Sequence, residues 1–377
     1  MAENDLNDLV AHLNQQATPG RTGAASHVLE DWLRQVRGAS GSDLLLVAGV
    51  PPTIKTTGRL LHGSETVLDS DDIEAAVLPY TPAAAQTRYR AGEAVDFAFR
   101  LPGLGRFRVN LHRERGHAAA AIRALPTRLP RLPDLQFTHD IGLLARLPRG
   151  LVLVAGPTGS GKTTTLAALV ADINHREQRH VVTIEDPIEY EHPHGTCIVE
   201  QVEIGLDAPD FPTALRSALR QAPEVLVIGE LRDTETMRIA LSAAETGHLV
   251  FATVHATDVG AAVSRIADAF PPERQNAVRQ ELAMALAAVL TQTLVVSTNQ
   301  QLVPVAELLV VGYGARQHVR KNGLQHLHQE ITITRKAGSF TLEESLAKLV
   351  QNGLLDRKDA VMRAAHPDEL ESILGRP

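Results

Sequence analysis

The chain has 377 residues, of which 44% are hydrophobic and 21% charged, with a net charge of −7. It is long enough for two domains, and its acidic balance gives no support for a surface that binds nucleic acid. A single cysteine, Cys197, excludes an intramolecular disulfide and a zinc site built from thiolates. The N-terminus lacks a signal-peptide pattern, and the apolar stretch 282–296 contains Thr291, Gln292 and Thr293 and falls short of the roughly 20 residues of a membrane span. We therefore expect a cytoplasmic protein.

The first third of the chain alternates helical and strand patterns. We predict an N-terminal extension over residues 1–25, followed by a small α/β domain over 26–123. A helix through Ala76 is expected to be capped by Ser70, Asp71 or Asp72. The strands predicted in this domain are Asp43–Val47, Thr53–Thr57, Val95–Arg100 and Arg106–His112.

Three prolines in "ALPTRLPRLPDL" predict an extended interdomain linker over 124–138. Beyond Ile141, short apolar runs alternate with helical segments, which is typical of buried parallel strands. We assign residues 139–300 to an α/β core and 301–377 to a mostly helical C-terminal region, where Thr341 and Glu344 form a capping box. The predicted core strands are Leu151–Ala155, Val181–Glu185, Val225–Ile228 and Leu249–Val254.

The strongest motif is "GPTGSGKTTT", which fits G-x-x-x-x-G-K-[ST] between a predicted strand and a predicted helix. Glycines let the backbone N–H groups turn inward around a phosphate chain at the positive end of a helix dipole. We expect Lys162 to meet the β- and γ-phosphates of ATP, and the Thr163 hydroxyl to bind Mg²⁺. The residues predicted to bind nucleotide are Gly156, Pro157, Thr158, Gly159, Ser160, Gly161, Lys162, Thr163 and Thr164.

Two predicted strands end in acidic residues, which hydrolysis requires for Mg²⁺ and for the attacking water. "TIEDPIEYEH" places Glu185 at a strand end, and "VIGELRD" places Glu230 two residues beyond the end of another strand. Gly229 stands where an aspartate is usual in such enzymes. We assign Glu185 as the general base and Glu230 to the metal shell, because ligands of open parallel sheets bind at the carboxyl ends of strands.

Histidines stand at both ends of the run Leu249–Val254. A metal site would need further ligands, and a catalytic triad would need a poised nucleophile, neither of which the sequence offers. His248 and His255 are left with two interpretations. Either they sense the γ-phosphate through a hydrogen bond that hydrolysis breaks, or they are polar caps of a strand.

Four stretches in this order resemble the type II/type IV secretion and pilus ATPases, and among them the twitching-motility (PilT-like) retraction ATPases. They are GPTGSGKTTT, TIEDPIEYEHPH, the run from VIGELRD to VFATVHATD, and SDLLLVAGVPP with GRFRVNLHRERG. The resemblance implies a RecA-like P-loop core behind a PAS-like N-terminal domain, and it makes His248 and His255 a histidine box.

The resemblance also implies a homohexamer in which arginines of one N-terminal domain reach the nucleotide of the next subunit. On this basis Arg106, Arg108 and Arg113 are candidate catalytic residues that act in trans. The alternative is that these arginines only form a basic, solvent-exposed edge of the strand and take no part in catalysis. The implied partners are an inner-membrane pilus platform protein and a paralogous motor ATPase, which would place the protein at the inner face of the cell membrane. No nucleic-acid partner is expected.

Two features bear on which member of the family this is. Pilus-assembly and type II secretion ATPases usually carry a four-cysteine zinc module, which a chain with one cysteine lacks. Retraction ATPases carry the motif Ala-Ile-Arg-Asn-Leu-Ile-Arg-Glu, whereas residues 314–321 read "GARQHVRK", with Lys321 in place of an acid. The missing zinc module favours a retraction motor, whereas the altered stretch 314–321 speaks against it. We predict a retraction motor. The alternative is an accessory pilus, secretion or conjugation motor, and a nucleic-acid translocase is a weaker one.

Overall fold

The computed structural model describes residues 21–56 and 59–375. The chain divides into two compact units, with the division between Thr127 and Arg128. Most of the predicted extension, residues 1–20, lies outside the described residues. Among the helices of the described ranges, none has an apolar stretch long enough to cross a membrane.

The N-terminal unit is a six-stranded antiparallel sheet with helices. The sheet order is β3-β2-β1-β6-β5-β4, and its core combines one face of α1 (Leu29, Leu33 and Val36) with alternate residues of the strands. Two of its strands, β3 and β6, were not predicted. The elements are α1 (Arg21–Gly38), β1 (Asp43–Val47), β2 (Thr53–Thr56), β3 (Arg59–His62), α2 (Ser70–Val77), α3 (Ala83–Arg90), β4 (Val95–Leu101), β5 (Gly105–Glu114) and β6 (His117–Ala124).

The predicted cap of the helix through Ala76 was off by one residue. Asp69, rather than Ser70, Asp71 or Asp72, is the N-cap of α2, and its carboxylate accepts a hydrogen bond from the Asp72 N–H at 2.8 Å. The Asp72 carboxylate in turn accepts a hydrogen bond from the Asp69 N–H. This reciprocal capping box fixes the start of the helix.

The second unit is built on a seven-stranded sheet in the order β13-β12-β7-β11-β10-β8-β9. All neighbours pair in parallel except β12 and β13. Every residue of β7 and of β11 is buried, because helices cover both faces of the sheet. The strands are β7 (Gly150–Ala155), β8 (His180–Glu185), β9 (Ile198–Glu203), β10 (Val225–Ile228), β11 (Leu249–Val254), β12 (Leu286–Val296) and β13 (Leu302–Val310).

Helices connect these strands and then form a C-terminal cluster that packs on Val295, Val303 and Val305. The capping box of Thr341 and Glu344 is present as predicted. The helices of this unit are α4 (Lys162–Arg176), α5 (Phe211–Ala218), α6 (Thr234–Glu245), α7 (Val259–Asp268), α8 (Pro272–Ala285), α9 (Tyr313–Arg320), α10 (Leu327–Ile333), α11 (Leu342–Gln351), α12 (Arg357–Arg363) and α13 (Pro367–Leu374).

Two of the predicted boundaries differ from the structure. The core sheet continues to Val310, because β13 pairs with β12 over nine consecutive residues, so the C-terminal region does not begin at residue 301. The predicted linker 124–138 begins inside β6 and contains a short 3-10 turn at Leu132–Leu135. The fold class itself is confirmed: a mixed α/β N-terminal unit and a parallel-sheet core with C-terminal helices.

Candidate nucleotide-binding site

The loop between β7 and α4 is built around glycines. Gly161 lies in the left-handed region, with φ +86°, and starts α4. At Gly156, with φ +155°, a Cβ would collide with the Gln292 carbonyl oxygen and lie 2.5 Å from Ser160 Oγ. The loop therefore needs glycine at Gly156 for space and at Gly161 for backbone conformation.

Lys162 lies inside this loop. Its ammonium group donates hydrogen bonds to the carbonyl oxygens of Gly156 and Pro157, each at 2.9 Å. Burial lowers the pKa of Lys162, and the nearby Glu230 carboxylate acts in the opposite direction. A partly desolvated ammonium interacts strongly with an anion, because water screens it less. The predicted contact of Lys162 with phosphates fits this position.

Strand β12 supports the loop from the side. Gln292 donates from Nε2 to the Ser160 carbonyl oxygen at 2.7 Å and accepts from the Thr165 hydroxyl at 2.8 Å. Ser160 Oγ is buried and, among the residues that the structure describes, has no hydrogen-bond partner. A buried hydroxyl of this kind calls for a polar partner. It is a spare donor that a phosphate oxygen can accept from.

Glu185 ends β8 beside the helix that follows the loop. Its Oε1 atom accepts hydrogen bonds from the Thr183 hydroxyl at 2.7 Å and from Gln201 Nε2 at 3.1 Å. Burial raises the pKa of Glu185, and these two hydrogen bonds oppose the shift. Glu185 and Thr163 line one cavity of about 30 Å³, which has room for a water molecule. A carboxylate with a raised pKa next to such a space suits a general base.

Gly229 separates β10 from Glu230. A Cβ at this position would lie 3.3 Å from the Ile184 carbonyl oxygen and 3.4 Å from Glu185 Cα. An aspartate here would therefore crowd the backbone of the candidate base. The close approach of the neighbouring strand therefore favours a residue without a side chain at Gly229.

Glu230 belongs to a second group of charges. Its carboxylate accepts from Arg232 Nε at 2.8 Å, and its other oxygen lies 3.2 Å from His255 Nε2. Arg232 also lies 3.6 Å from an Asp186 oxygen. Since a carboxylate–imidazole pair can form or break when a third charge arrives, this arrangement suits a sensor of the bound phosphate.

The two histidines of the predicted histidine box do not lie together. Gly150 pairs with Leu249, and Ala155 pairs with Val254. His255 therefore lies at the end of β11 next to the phosphate loop, and His248 lies at the other end of β11, roughly 20 Å away along the strand. His248 donates from Nδ1 to the Ala243 carbonyl oxygen at 2.9 Å. Within one chain, His248 caps the end of α6, and its role as a sensor stays a prediction.

The candidate arginines lie on β5 of the N-terminal unit. Arg106 and Arg108 lie two residues apart and share a face of that strand, as predicted. Arg108 lies 3.7 Å from an Asp96 oxygen. Arg113 pairs with Glu74 at 3.2 Å and stacks over the Tyr89 ring at 4.8 Å. Arg113 is thus held by contacts within its own unit.

Sequence reasoning missed several residues that position the site. Tyr190 shares a hydrogen bond of 3.0 Å with the Thr164 hydroxyl. His192 lines the cavity beside Glu185, and burial lowers its pKa to about 4. Gln201 and Gln292 are described above. Tyr190 and His192 lie inside the stretch TIEDPIEYEHPH, and Gln292 stands out as a polar residue inside the apolar stretch 282–296.

The oxygen donors at this edge of the sheet fit Mg²⁺. The ion prefers hydroxyl, carboxylate and water oxygens, and Thr163, Glu185 and Glu230 offer the first two kinds. Thr163 and Glu185 share a cavity, whereas Glu230 contacts Arg232 and His255. Both acids are therefore candidates to hold the ion.

A parallel core sheet with a phosphate loop after its strand β7 defines a P-loop NTPase. The type II/IV secretion system protein family matches residues 117–364, and the chain belongs to this family. It is therefore a P-loop ATPase of the secretion-system type.

Individual relatives match nearly the whole chain. The type IV pilus retraction ATPase PilT of Pseudomonas aeruginosa is 37% identical over 87% of this chain and 95% of its own length. The type IV pilus ATPase PilU of the same organism is 36% identical over 92% and 91%. A crystal structure of the pilus retraction motor PilT with bound ADP superposes with a TM-score of 0.82 at 36% identity, covering 90% of this chain and 98% of that one.

Proposed function

We propose that this chain is the ATPase motor that retracts and disassembles a type IV pilus, acting as a homohexamer with Mg²⁺. The observation that carries the proposal is similarity to a pilus retraction motor over almost the full length of both chains. The intact phosphate loop and the two acids beside it supply the groups that hydrolysis needs.

The described side chains divide the chemistry among them. Lys162 would hold the β- and γ-phosphates, and Glu185 would take a proton from the attacking water. Thr163 and Glu230 would hold Mg²⁺, which when bound neutralises charge on the phosphate oxygens. His255 would exchange its contact with Glu230 for one with the γ-phosphate. This exchange would report whether ATP has been cleaved.

Hydrolysis would depend on the ring through arginines that act in trans. Arg106, Arg108 and Arg113 are the candidates, because a guanidinium from a neighbouring subunit can stabilise the charge of the transition state. Mixing an Arg106→Ala protein with a Lys162→Ala protein should restore ATPase activity at the mixed interfaces. Arg108→Ala and Arg113→Ala should be tested in the same way. If none of the three mixtures recovers activity, arginine action in trans is refuted for these residues.

The proposed partners are a pilus platform protein of the inner membrane and a paralogous motor ATPase. The motor would then act from the cytoplasm at the inner face of the cell membrane. ATP between two subunits would pull an N-terminal unit toward its neighbour's core, and release would allow it to return. No nucleic-acid partner is proposed, since the chain carries a net charge of −7.

An accessory pilus, secretion or conjugation motor is the second candidate, and the stretch 314–321 favours it. Lys321 follows the last residue of α9, where a cation is favoured by the helix dipole and an acid is not. Arg316 donates to the carbonyl oxygens of Ala283 and Met284, so it stabilises the fold. PilU, a type IV pilus ATPase whose name does not specify retraction, is similar to this chain at almost the same identity as PilT, which also fits this alternative.

The decisive experiment compares surface pilin sheared from cells with and without this protein. Excess pili on cells that no longer twitch would support retraction, and a gene encoding Lys162→Ala should fail to reverse the defect while the wild-type gene reverses it. Unchanged pili with normal twitching would reject the retraction role and favour the accessory motor.

A further inference from the structure

Three ligand-type side chains converge away from the nucleotide site. His328 belongs to α10, Glu343 to α11 and Glu369 to α13. One nitrogen or oxygen atom of each lies within 4.8 Å of those of the other two. His328 Nε2 and Glu369 Oε2 are 3.0 Å apart. The cluster joins three helices of the C-terminal region.

Glu343 is the member that needs a further partner. The residue is only 1% exposed. One carboxylate oxygen, Oε1, accepts from the His366 backbone N–H at 2.8 Å, whereas Oε2 is buried and has no hydrogen-bond partner within residues 21–56 and 59–375. Leaving a buried carboxylate oxygen without a partner is costly. This atom lies among groups that could share a cation with it.

The surroundings of Glu343 hold an excess of negative charge. Glu307 is buried nearby, where burial and the charges of Asp258 and Glu343 raise the pKa of its carboxyl, while the Val259 N–H and His328 lower it. Arg335 lies 3.7 Å from Glu369 Oε1 and 2.8 Å from an oxygen of Glu344. Arg335 is thus on the Oε1 side of Glu369, and the Oε2 atom contacts His328.

We propose that His328, Glu343 and Glu369 form a binding site for a divalent transition-metal ion of the Zn²⁺ class. Imidazole nitrogen and carboxylate oxygen are both ligands that Zn²⁺ accepts, and water would complete the coordination of a three-residue site. Alkaline-earth ions are less suited, because they select oxygen ligands alone. Ligands about 2.0 Å from a tetrahedral Zn²⁺ lie about 3.3 Å from one another, so atoms up to 4.8 Å apart would have to approach by about 1.5 Å through rotation of the side chains.

A metal ion at this site would cross-link the helices α10, α11 and α13. These helices follow β13, the last strand of the core sheet, and α11 packs on that strand through Leu346 and Leu349. The ion would therefore stabilise the C-terminal region. It would take no part in hydrolysis, so the site does not depend on the proposed motor function.

The test is a titration of the full-length, metal-stripped protein with Zn²⁺ in the absence of nucleotide, in competition with a chromophoric chelator. We expect one tightly bound Zn²⁺ per chain. His328→Ala, Glu343→Gln and Glu369→Gln should each weaken this binding by about 10–100-fold or more. A wild-type protein that competes for no zinc, or three variants that bind as wild type does, would overturn the proposal.

A matched control is available in another histidine–glutamate pair. His180 Nε2 lies 3.1 Å from Glu200 Oε1, which is close to the distance between His328 and Glu369. Within the described residues, however, the group of three ligand-type side chains is the one that contains His328. His180→Ala should therefore bind Zn²⁺ as the wild type does. Equal losses in His180→Ala and His328→Ala would indicate nonspecific histidine binding and reject the site.

A second measurement guards against variants that fail to fold. X-ray absorption of the zinc-loaded wild-type protein reports the ligands directly. Nitrogen from one imidazole with oxygen ligands is expected. A shell of several imidazoles, or of water alone, would contradict the assignment to His328, Glu343 and Glu369.

Discussion

The two ends of β11 carry the same residue type in different chemical settings. At the amino end, His248 donates to a backbone carbonyl oxygen of the preceding helix. At the carboxyl end, His255 contacts the Glu230 carboxylate. In a parallel sheet, ligands bind beyond the carboxyl ends of the strands. Position along the strand, rather than residue type, decides which histidine can take part in the chemistry.

The largest effect is expected at the loop end of the sheet, from Lys162→Ala. Removing the buried ammonium takes away the charge that meets the phosphates, and ATP hydrolysis should fall by at least about 100-fold. Steady-state phosphate release measures it. Lys348→Ala, at an exposed position of α11, is the control and should leave turnover unchanged. Normal turnover in Lys162→Ala would remove the basis for the site.

Glu185→Gln and Glu230→Gln separate the two acids of this edge. A general base contributes roughly 10²–10⁴-fold, so Glu185→Gln should bind ATP but turn it over at least about 100-fold more slowly at every Mg²⁺ concentration. Glu230→Gln should instead be partly rescued by raised Mg²⁺, if its oxygen holds the ion. Measuring turnover against Mg²⁺ at saturating ATP tests both. Rescue of Glu185→Gln but not of Glu230→Gln would reverse the assignment.

The comparison of the histidines is tested by replacing each in turn. His255→Ala removes a charge-assisted contact worth about 1.5–3 kcal/mol and should slow turnover by roughly tenfold or more. His248→Ala should leave turnover near that of the wild type and lower the free energy of unfolding by about 1 kcal/mol. Urea titration and ATPase assays measure the two quantities. Equal losses of activity would show that both ends of β11 serve the reaction.

The smallest expected effect is a shift in the pH profile. An exposed glutamate has a pKa of about 4.3. Because burial raises the pKa of Glu185, this carboxyl loses its proton at a higher pH than an exposed glutamate does. The acidic limb of the kcat profile should therefore lie above that value. Gln201→Met removes a hydrogen bond that favours the carboxylate, so the limb should move to still higher pH. Gln351→Met, at an exposed position, is the control, and an unmoved limb in Gln201→Met would refute Glu185 as the titrating base.

Much of the core could be predicted from the sequence. Asp43–Val47, Val225–Ile228 and Leu249–Val254 have the predicted bounds, because short apolar runs between polar turns are typical of buried strands. The strand β6, "HAAAAIRA", was missed. Alanine has little preference for strands, and this segment is extended because it pairs with β1 on one side and β5 on the other.

The parts of the site that could be predicted are the phosphate loop, which one local motif contains, and the polar residues that directly follow apolar strands. The spacing of Gly156, Gly161 and Lys162 is such a motif. The support from Gln292 crosses 132 residues of sequence to reach Ser160, and local patterns cannot reveal it. The location of His248 depends on the parallel register of β11 with β7, which is a tertiary feature.

The hydrogen bonds of Gln292 have a mechanical consequence. The phosphate loop rests on β12, and β12 is held to β13 by nine consecutive residue pairs. A hairpin of this length resists bending. The side of the loop that contacts Gln292 is therefore held in a fixed position. A shift of the loop would therefore have to move β12 with it or break the hydrogen bond from Gln292 to the Ser160 carbonyl oxygen.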